Sequence, residues 1–248
     1  MDSNEDRFGI PLKSLPNNLS YKYLANQVIV QIIGFIYSEN MKNVLCFGDS
    51  NTYGFNPENG GRYDDNIRWT GVLQHLLKDE YNIIEEGCNA RTVIFKDFGD
   101  YKTCSIDYLP DCLKKYQNTD LVIFMLGLND FQTIFHASVD AVLTGIKTLV
   151  NIIRNSDVNF KTEILLLPPA IIGKNIQQSN FGCMFNKYSI KKTIEFTQKL
   201  KDLAHSEHCE YFNINRIIKT CSEDSIHFKP EAHRKIAETL SVLIPQIL

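Results

Sequence analysis

Asn43-Val44-Leu45-Cys46-Phe47-Gly48-Asp49-Ser50 is an apolar run stopped by a glycine and two polar residues. A short apolar run bounded by a turn signal reads as a buried strand feeding a loop. The pattern returns along the chain. Asn82–Glu86 is followed by Gly87, Leu121-Val122-Ile123-Phe124-Met125-Leu126 by Gly127-Leu128-Asn129-Asp130, and Glu163–Leu167 by Pro168-Pro169, while Glu210–Phe212 gives a short last strand. Between these runs the spacing is helical. Trp69, Val72, Leu73, Leu76 and Leu77 mark a first helix, and Val139, Leu143, Ile146, Val150 and Ile153 mark a long amphipathic one. Ile190, Ile194, Leu200 and Leu203 give another, and Pro230 opens a last helix carrying Ala232, Ile236, Ala237, Leu240 and Leu243. Apolar strands alternating with amphipathic helices imply parallel pairing with helices on both faces. The expected fold is α/β, a three-layer α/β/α sandwich around a five-stranded, mainly parallel sheet. Ligands of such sheets bind beyond the carboxyl ends of the strands, where the polar signals of this chain fall.

The chain has 248 residues, 44% hydrophobic and 22% charged, an ordinary globular balance that supports a substantial core. One main domain is expected over residues 41–248, with Met41-Lys42-Asn43 reading as its start, preceded by an N-terminal extension over residues 1–40. Residues 1–20 are polar and suit an irregular arm. Residues 21–37 turn apolar and suit an accessory helix. A membrane span needs about 20 mostly apolar residues, whereas this run is shorter and is broken by Lys22, Asn26, Gln27 and Gln31, so membrane association is not expected. It lacks the basic start and small-residue cleavage site of a signal peptide.

A formal net charge of −3, with no dense Lys/Arg block, argues against a nucleic-acid partner. Seven cysteines form no C-x-x-C pair and leave one over, which suits a reducing, cytoplasmic compartment better than a disulfide framework. Histidines are scattered without H-E-x-x-H spacing, so neither a metal nor another cofactor is expected.

Ser50 and the run Asp224-Ser225-Ile226-His227 supply a serine, a carboxylate and an imidazole in that chain order. A serine hydroxyl is a weak nucleophile until an imidazole takes its proton, and the imidazole works best when a carboxylate fixes its tautomer. The types present are therefore those of a serine hydrolase. Alone, Gly48-Asp49-Ser50 reads as a turn followed by a helix cap, and only its company favours a nucleophile. Asn129 reads as a turn residue, Asp49 and Asp130 as holders of turns and helix starts, Trp69 as a packing residue, and His233 as a surface residue of the last helix. The α/β-hydrolase elbow G-x-S-x-G is excluded, because Thr52 stands at its last position.

Taken together, Gly48-Asp49-Ser50, Gly87-Cys88-Asn89-Ala90-Arg91-Thr92, Gly127-Leu128-Asn129-Asp130 and Asp224-Ser225-Ile226-His227 resemble the four blocks of the SGNH, or GDSL-type, hydrolase family. The resemblance runs from Lys42 to Leu248 and implies a flavodoxin-like fold. The runs Cys46–Gly54, Arg68–Leu73, Glu85–Thr92, Tyr108-Leu109-Pro110 and Asp120–Ile123 look like its arylesterase and acyltransferase-like branch. It implies Ser50 as nucleophile, His227 as general base and Asp224 as its orienting carboxylate. Oxyanion donors would be the N–H groups of Ser50 and Ala90 and the side-chain amide of Asn129. Ala90 departs from the glycine common in the family, yet its N–H still donates where φ and ψ suit the loop.

The implied function is a serine esterase of small acetyl or short-chain carboxylic esters acting through an acyl-serine, with acyl transfer to an alcohol allowed. A carbohydrate O-acetyl esterase is the alternative within the class, and a non-catalytic binding or assembly module on the same fold is the alternative outside it. Tyr53, Phe55 and Phe181 are candidates for the substrate pocket, and core packing accounts for them equally well. The expected partner is a small-molecule ester. The resemblance also allows a homo-oligomer to which the apolar N-terminal segment contributes.

Overall fold

The computed structural model describes residues 23, 24, 26–29, 41–96, 100–157 and 161–248. The chain divides into two compact units, Met1–Met41 and Lys42–Leu248. In the first, residues 23, 24 and 26–29 are helical. The arm expected over residues 1–20 and most of the apolar 21–37 run lie outside the described residues.

In the second unit, five strands form one sheet: β1 (Lys42–Gly48), β2 (Tyr81–Gly87), β3 (Leu121–Met125), β4 (Glu163–Leu167) and β5 (Glu210–Tyr211), in the order β2-β1-β3-β4-β5. Every pairing is parallel. Among the described residues six α-helices accompany them, besides short 3-10 turns: α1 (Ser50–Tyr53), α2 (Trp69–Leu77), α3 (Ser105–Lys115), α4 (Val139–Arg154), α5 (Lys187–Ser206) and α6 (Pro230–Ile247). Side chains alternate across a strand, and β1 shows the result. Val44 and Cys46 enter one core with Trp69 and Leu73 of α2 and Ile236 and Leu240 of α6. Leu45 and Phe47 enter the other with Leu109 of α3, Ile146 and Leu149 of α4, and Phe196 and Leu200 of α5. Both faces of the sheet are thus covered, which is why its strands read as unbroken apolar runs.

β1 pairs with β2 on one side and β3 on the other, so the chain reverses its winding there, and the crevice at their carboxyl ends is the natural ligand position. Glycines bring α1 down onto that edge. A Cβ on Gly48 would lie 2.0 Å from Thr52 Oγ1, and one on Gly87 would lie 2.1 Å from the Tyr53 nitrogen.

The five-stranded sheet pairs in parallel as expected, and its strands differ from the expected runs by a residue at several ends. Lys42 and Gly48 pair with Tyr81 and Gly87 because backbone pairing continues past the apolar side chains. At the other edge Phe212 donates one N–H to the Leu166 carbonyl but lies beyond β5. Helix α3 has no counterpart among the helices read from spacing, since Pro110 inside it masks the pattern. The expectation for His233 is corrected outright. It is fully buried, with Nδ1 accepting from the Trp69 N–H at 3.2 Å and its ring edge-on to Tyr63 and Phe228. The buried stripe Ala232, His233, Ile236, Ala237, Leu240 and Ile244 is wide enough to include it. Trp69 is buried as expected.

Among the described residues no helix is long and apolar enough to cross a membrane. The seven cysteines are all free.

Candidate active site

The β1 run ends at Gly48, and Asp49 caps the short helix that follows, its Oδ1 accepting the Asn51 N–H at 2.9 Å. Ser50 is thereby the first residue of α1, with no carbonyl a turn earlier to take its N–H. Its hydroxyl meets His227 Nε2 at 2.8 Å. On the other side of the ring, His227 Nδ1 lies 2.6 Å from Asp224 Oδ2. The structure therefore brings Ser50, His227 and Asp224 into one line. An imidazole bridging a hydroxyl and a carboxylate can take the hydroxyl proton while the carboxylate steadies the resulting cation.

The Asp224–His227 corner is held from within. Asp224 Oδ1 accepts the N–H groups of Ile226 and His227, both at 2.9 Å, and the Cys221 thiol at 3.0 Å. Ser225 takes a left-handed backbone, φ +65°, which turns the chain back within this short span. Outside contacts complete the clamp: Asn51 Nδ2 donates to the Ile226 carbonyl at 3.2 Å and the Gly173 N–H to that of Ser225 at 2.7 Å. Burial pushes the Asp224 carboxyl up, but the hydrogen bond and charge of His227, its backbone N–H and the Cys221 thiol more than offset this and hold it at about 2. The carboxylate is therefore ionised at neutral pH.

The loops after β2 and β3 meet opposite. Ala90 adopts φ +60°, the left-handed conformation that explains why glycine suits its position. No hydrogen bond to a described residue occupies its N–H. Asn129 Nδ2 donates to the Arg91 carbonyl at 3.0 Å, leaving its second amide proton for another acceptor. Gln132 Nε2 approaches Asn129 Oδ1 at 3.5 Å. Asp130 holds more than its own turn, because its carboxylate accepts the N–H groups of Val93 and Ile94 and so pins the loop that carries Ala90. Burial raises the Asp130 carboxyl to about 7 despite those donors, and raises Asp49 to about 6. Neither touches the Ser50 hydroxyl.

Of the aromatic candidates, Phe55 and Phe181 flank the His227 ring, with centroids 4.3 and 5.5 Å away. Tyr53 instead lies under the Arg62 guanidinium at 4.7 Å. A cleft of about 450 Å³ backs onto the same corner, lined by Ile172, Gly173, Ile218, Cys221 and Ser225 but not by Ser50. Among the described residues no group of three or more His, Cys, Asp or Glu is set to hold a metal ion.

Sequence reasoning gave no role to Arg91, which is 1% exposed and donates only to main-chain carbonyls. Spacing offers no signal for a buried arginine.

The family model described as GDSL-like Lipase/Acylhydrolase matches residues 44–240. Among solved structures, the native aryl esterase of M. smegmatis is 31% identical, with a TM-score of 0.78 over 84% of this chain and 100% of that one. Est24, a carbohydrate acetylesterase from Sinorhizobium meliloti, is 30% identical, with a TM-score of 0.76 over 84% of this chain and 100% of its own. Comparison with curated protein sequences returns no match. The fold, the four motif blocks and the span of the family match agree, and the chain belongs to the GDSL-like lipase/acylhydrolase, or SGNH hydrolase, family as a carboxylic ester hydrolase.

Proposed function

We propose that the chain hydrolyses small carboxylic esters, acetyl or short-chain, through an acyl-Ser50 intermediate. The observation that carries this reading is the single imidazole spanning Ser50 at 2.8 Å and Asp224 at 2.6 Å. Ser50 Oγ attacks the ester carbonyl carbon as its proton passes to His227 Nε2, and the carbonyl π electrons move onto oxygen. The N–H groups of Ser50 and Ala90 and the Asn129 amide receive that oxyanion. When the C–O bond breaks, His227 returns the proton to the departing alcohol. Water then attacks the acyl-serine with His227 again as base, and the acid leaves. Asp224 stays ionised throughout and steadies the imidazolium.

Phe55 and Phe181, beside His227, form the apolar wall against which the ester lies. An alcohol in place of water gives acyl transfer by the same steps. A second reading, removal of acetyl groups from sugars, is favoured by the likeness to a carbohydrate acetylesterase. A reducing, cytoplasmic setting belongs to the same proposal, because it keeps seven free thiols from oxidation. So does self-association through residues 1–40, for which an unchanged monomeric light-scattering mass with and without that segment counts against.

Hydrolysis of p-nitrophenyl acetate by wild type and Ser50→Ala tests the mechanism. The variant falls to background and loses its fluorophosphonate adduct; full retained activity rejects the reading, and a wild-type protein that takes no adduct at Ser50 points to a non-catalytic module. Acetylated xylose against simple aryl and alkyl acetates separates the two substrate readings.

A further inference from the structure

Each donor of the proposed oxyanion pocket lies within two residues or one hydrogen bond of Arg91, or of a carbonyl that Arg91 holds. Ala90 is its neighbour in the chain. Asn129 Nδ2 donates to its carbonyl at 3.0 Å. Its Nη1 donates to the carbonyl of Gly48, two residues before Ser50, at 3.1 Å. The same nitrogen donates to the Glu86 carbonyl at the end of β2, and Nε donates to the Lys102 carbonyl at 2.8 Å. The guanidinium carbon sits 4.2 Å from the Phe47 ring centroid and 5.2 Å from that of Tyr108.

This is an unusual use of a buried cation. Among the described residues its hydrogen bonds go to carbonyls rather than to a carboxylate, with the Glu86 charge acting on it without a direct bond, and a buried charge is costly unless hydrogen bonds satisfy it. Packing alone does not call for it, since an apolar side chain would fill the space beside the stacked Phe47 and Tyr108 rings. What an apolar residue lacks is the fork that ties three carbonyls, from β1, from β2 and from the loop at Lys102, to one rigid plane. The first two of those carbonyls lie on the strands that lead to Ser50 and Ala90, and the third ties in the turn at Lys102.

We propose that Arg91 is a positioning residue for ester hydrolysis: its guanidinium fixes the ends of β1 and β2 against the 88–91 turn, and so sets the spacing of the three oxyanion donors. The assignment rests on the oxyanion pocket described under the proposed function. Transition-state stabilisation by preorganised donors falls steeply when the donors are misplaced, whereas substrate binding in the ground state depends on them far less.

The experiment measures kcat and KM on p-nitrophenyl acetate for wild type, Arg91→Met, Asn129→Ala and the double variant, with thermal unfolding to establish that each is folded. Arg91→Met is expected to lower kcat about 100-fold while KM moves less than about threefold, and the double variant to lose less than the product of the two single losses, because Arg91 acts partly through Asn129. A purely structural arginine would lower melting temperature without this split or this coupling. A folded Arg91→Met with unchanged kcat, beside an impaired Asn129→Ala, overturns the inference and leaves the oxyanion pocket standing; losses that simply multiply overturn it as well. An Asn129→Ala with full kcat overturns the pocket and the inference together. Should Arg91→Met not fold, Arg91→Lys carries the test: it keeps the charge but not the fork, so kcat falls about tenfold, and an unchanged kcat overturns the inference.

Discussion

His227 and His233 stand six residues apart in the chain, and both are buried, yet their surroundings give them opposite properties. The ring nitrogens of His227 are both engaged, one by a carboxylate and one by a hydroxyl. His233 accepts the Trp69 N–H on Nδ1, which puts its proton on Nε2, where no described residue is bonded. Burial, with His227 adding a smaller push, holds its imidazole down at about 3. Burial alone therefore does not decide what a histidine does. A partnered carboxylate fixes the orientation and tautomer of one imidazole, and the lack of one makes the other a neutral packing group.

The largest effect that would break this contrast is expected at the carboxylate. Asp224→Asn should keep the corner folded but favour the wrong imidazole tautomer, lowering kcat about 10⁴-fold on p-nitrophenyl acetate; a fall of less than about tenfold would erase the distinction between the two histidines. His233→Ala should act on stability instead. Losing a fully buried ring and stranding the Trp69 N–H costs about 3 kcal/mol, which for a domain of this size lowers the melting temperature by about 6–12 °C while kcat at room temperature barely changes.

The smallest effect is in pH dependence. A histidine at about 3 when folded and about 6.5 when unfolded contributes stability that is fully present above pH 6.5 and is lost as pH falls toward 3. From pH 7 to 4.5 wild type should therefore lose on the order of 2–3 kcal/mol that His233→Ala does not. Asp224, at about 2 against an unfolded 3.8, loses its contribution only below this window. Asp49 and Asp130, raised when folded, gain stability as pH falls, but do so in both proteins. Urea midpoints at the two pH values measure the difference, and a parallel fall in both proteins rejects the role given to His233.

Much of this was legible from residues alone, for identifiable reasons. Strands buried on both faces leave apolar runs, and parallel pairing puts all their polar ends on one edge, so the loops after β1, β2 and β3 were expected to converge, while the roles of Ala90 and Asn129 within them came from the family resemblance. His233 was legible too, since it falls three and four residues before Ile236 and Ala237, but polarity hid a position that spacing would have buried. Helix α3 was obscured by Pro110, whose missing N–H the surrounding packing tolerates. Arg91 was not legible at all. Its partners are carbonyls, which every residue carries, so no side-chain pattern records them.

The hydrogen bond between Ser50 and His227 joins residues 177 apart. A ribosome adding about 5–20 residues per second therefore exposes a nucleophile for roughly ten seconds or more before the base exists. An emerging chain that has reached only β5 carries the serine but neither Asp224 nor His227. The triad exists only where the Asp224–His227 corner meets the end of β1, so turnover reports assembly of this domain from both its ends rather than the presence of its parts.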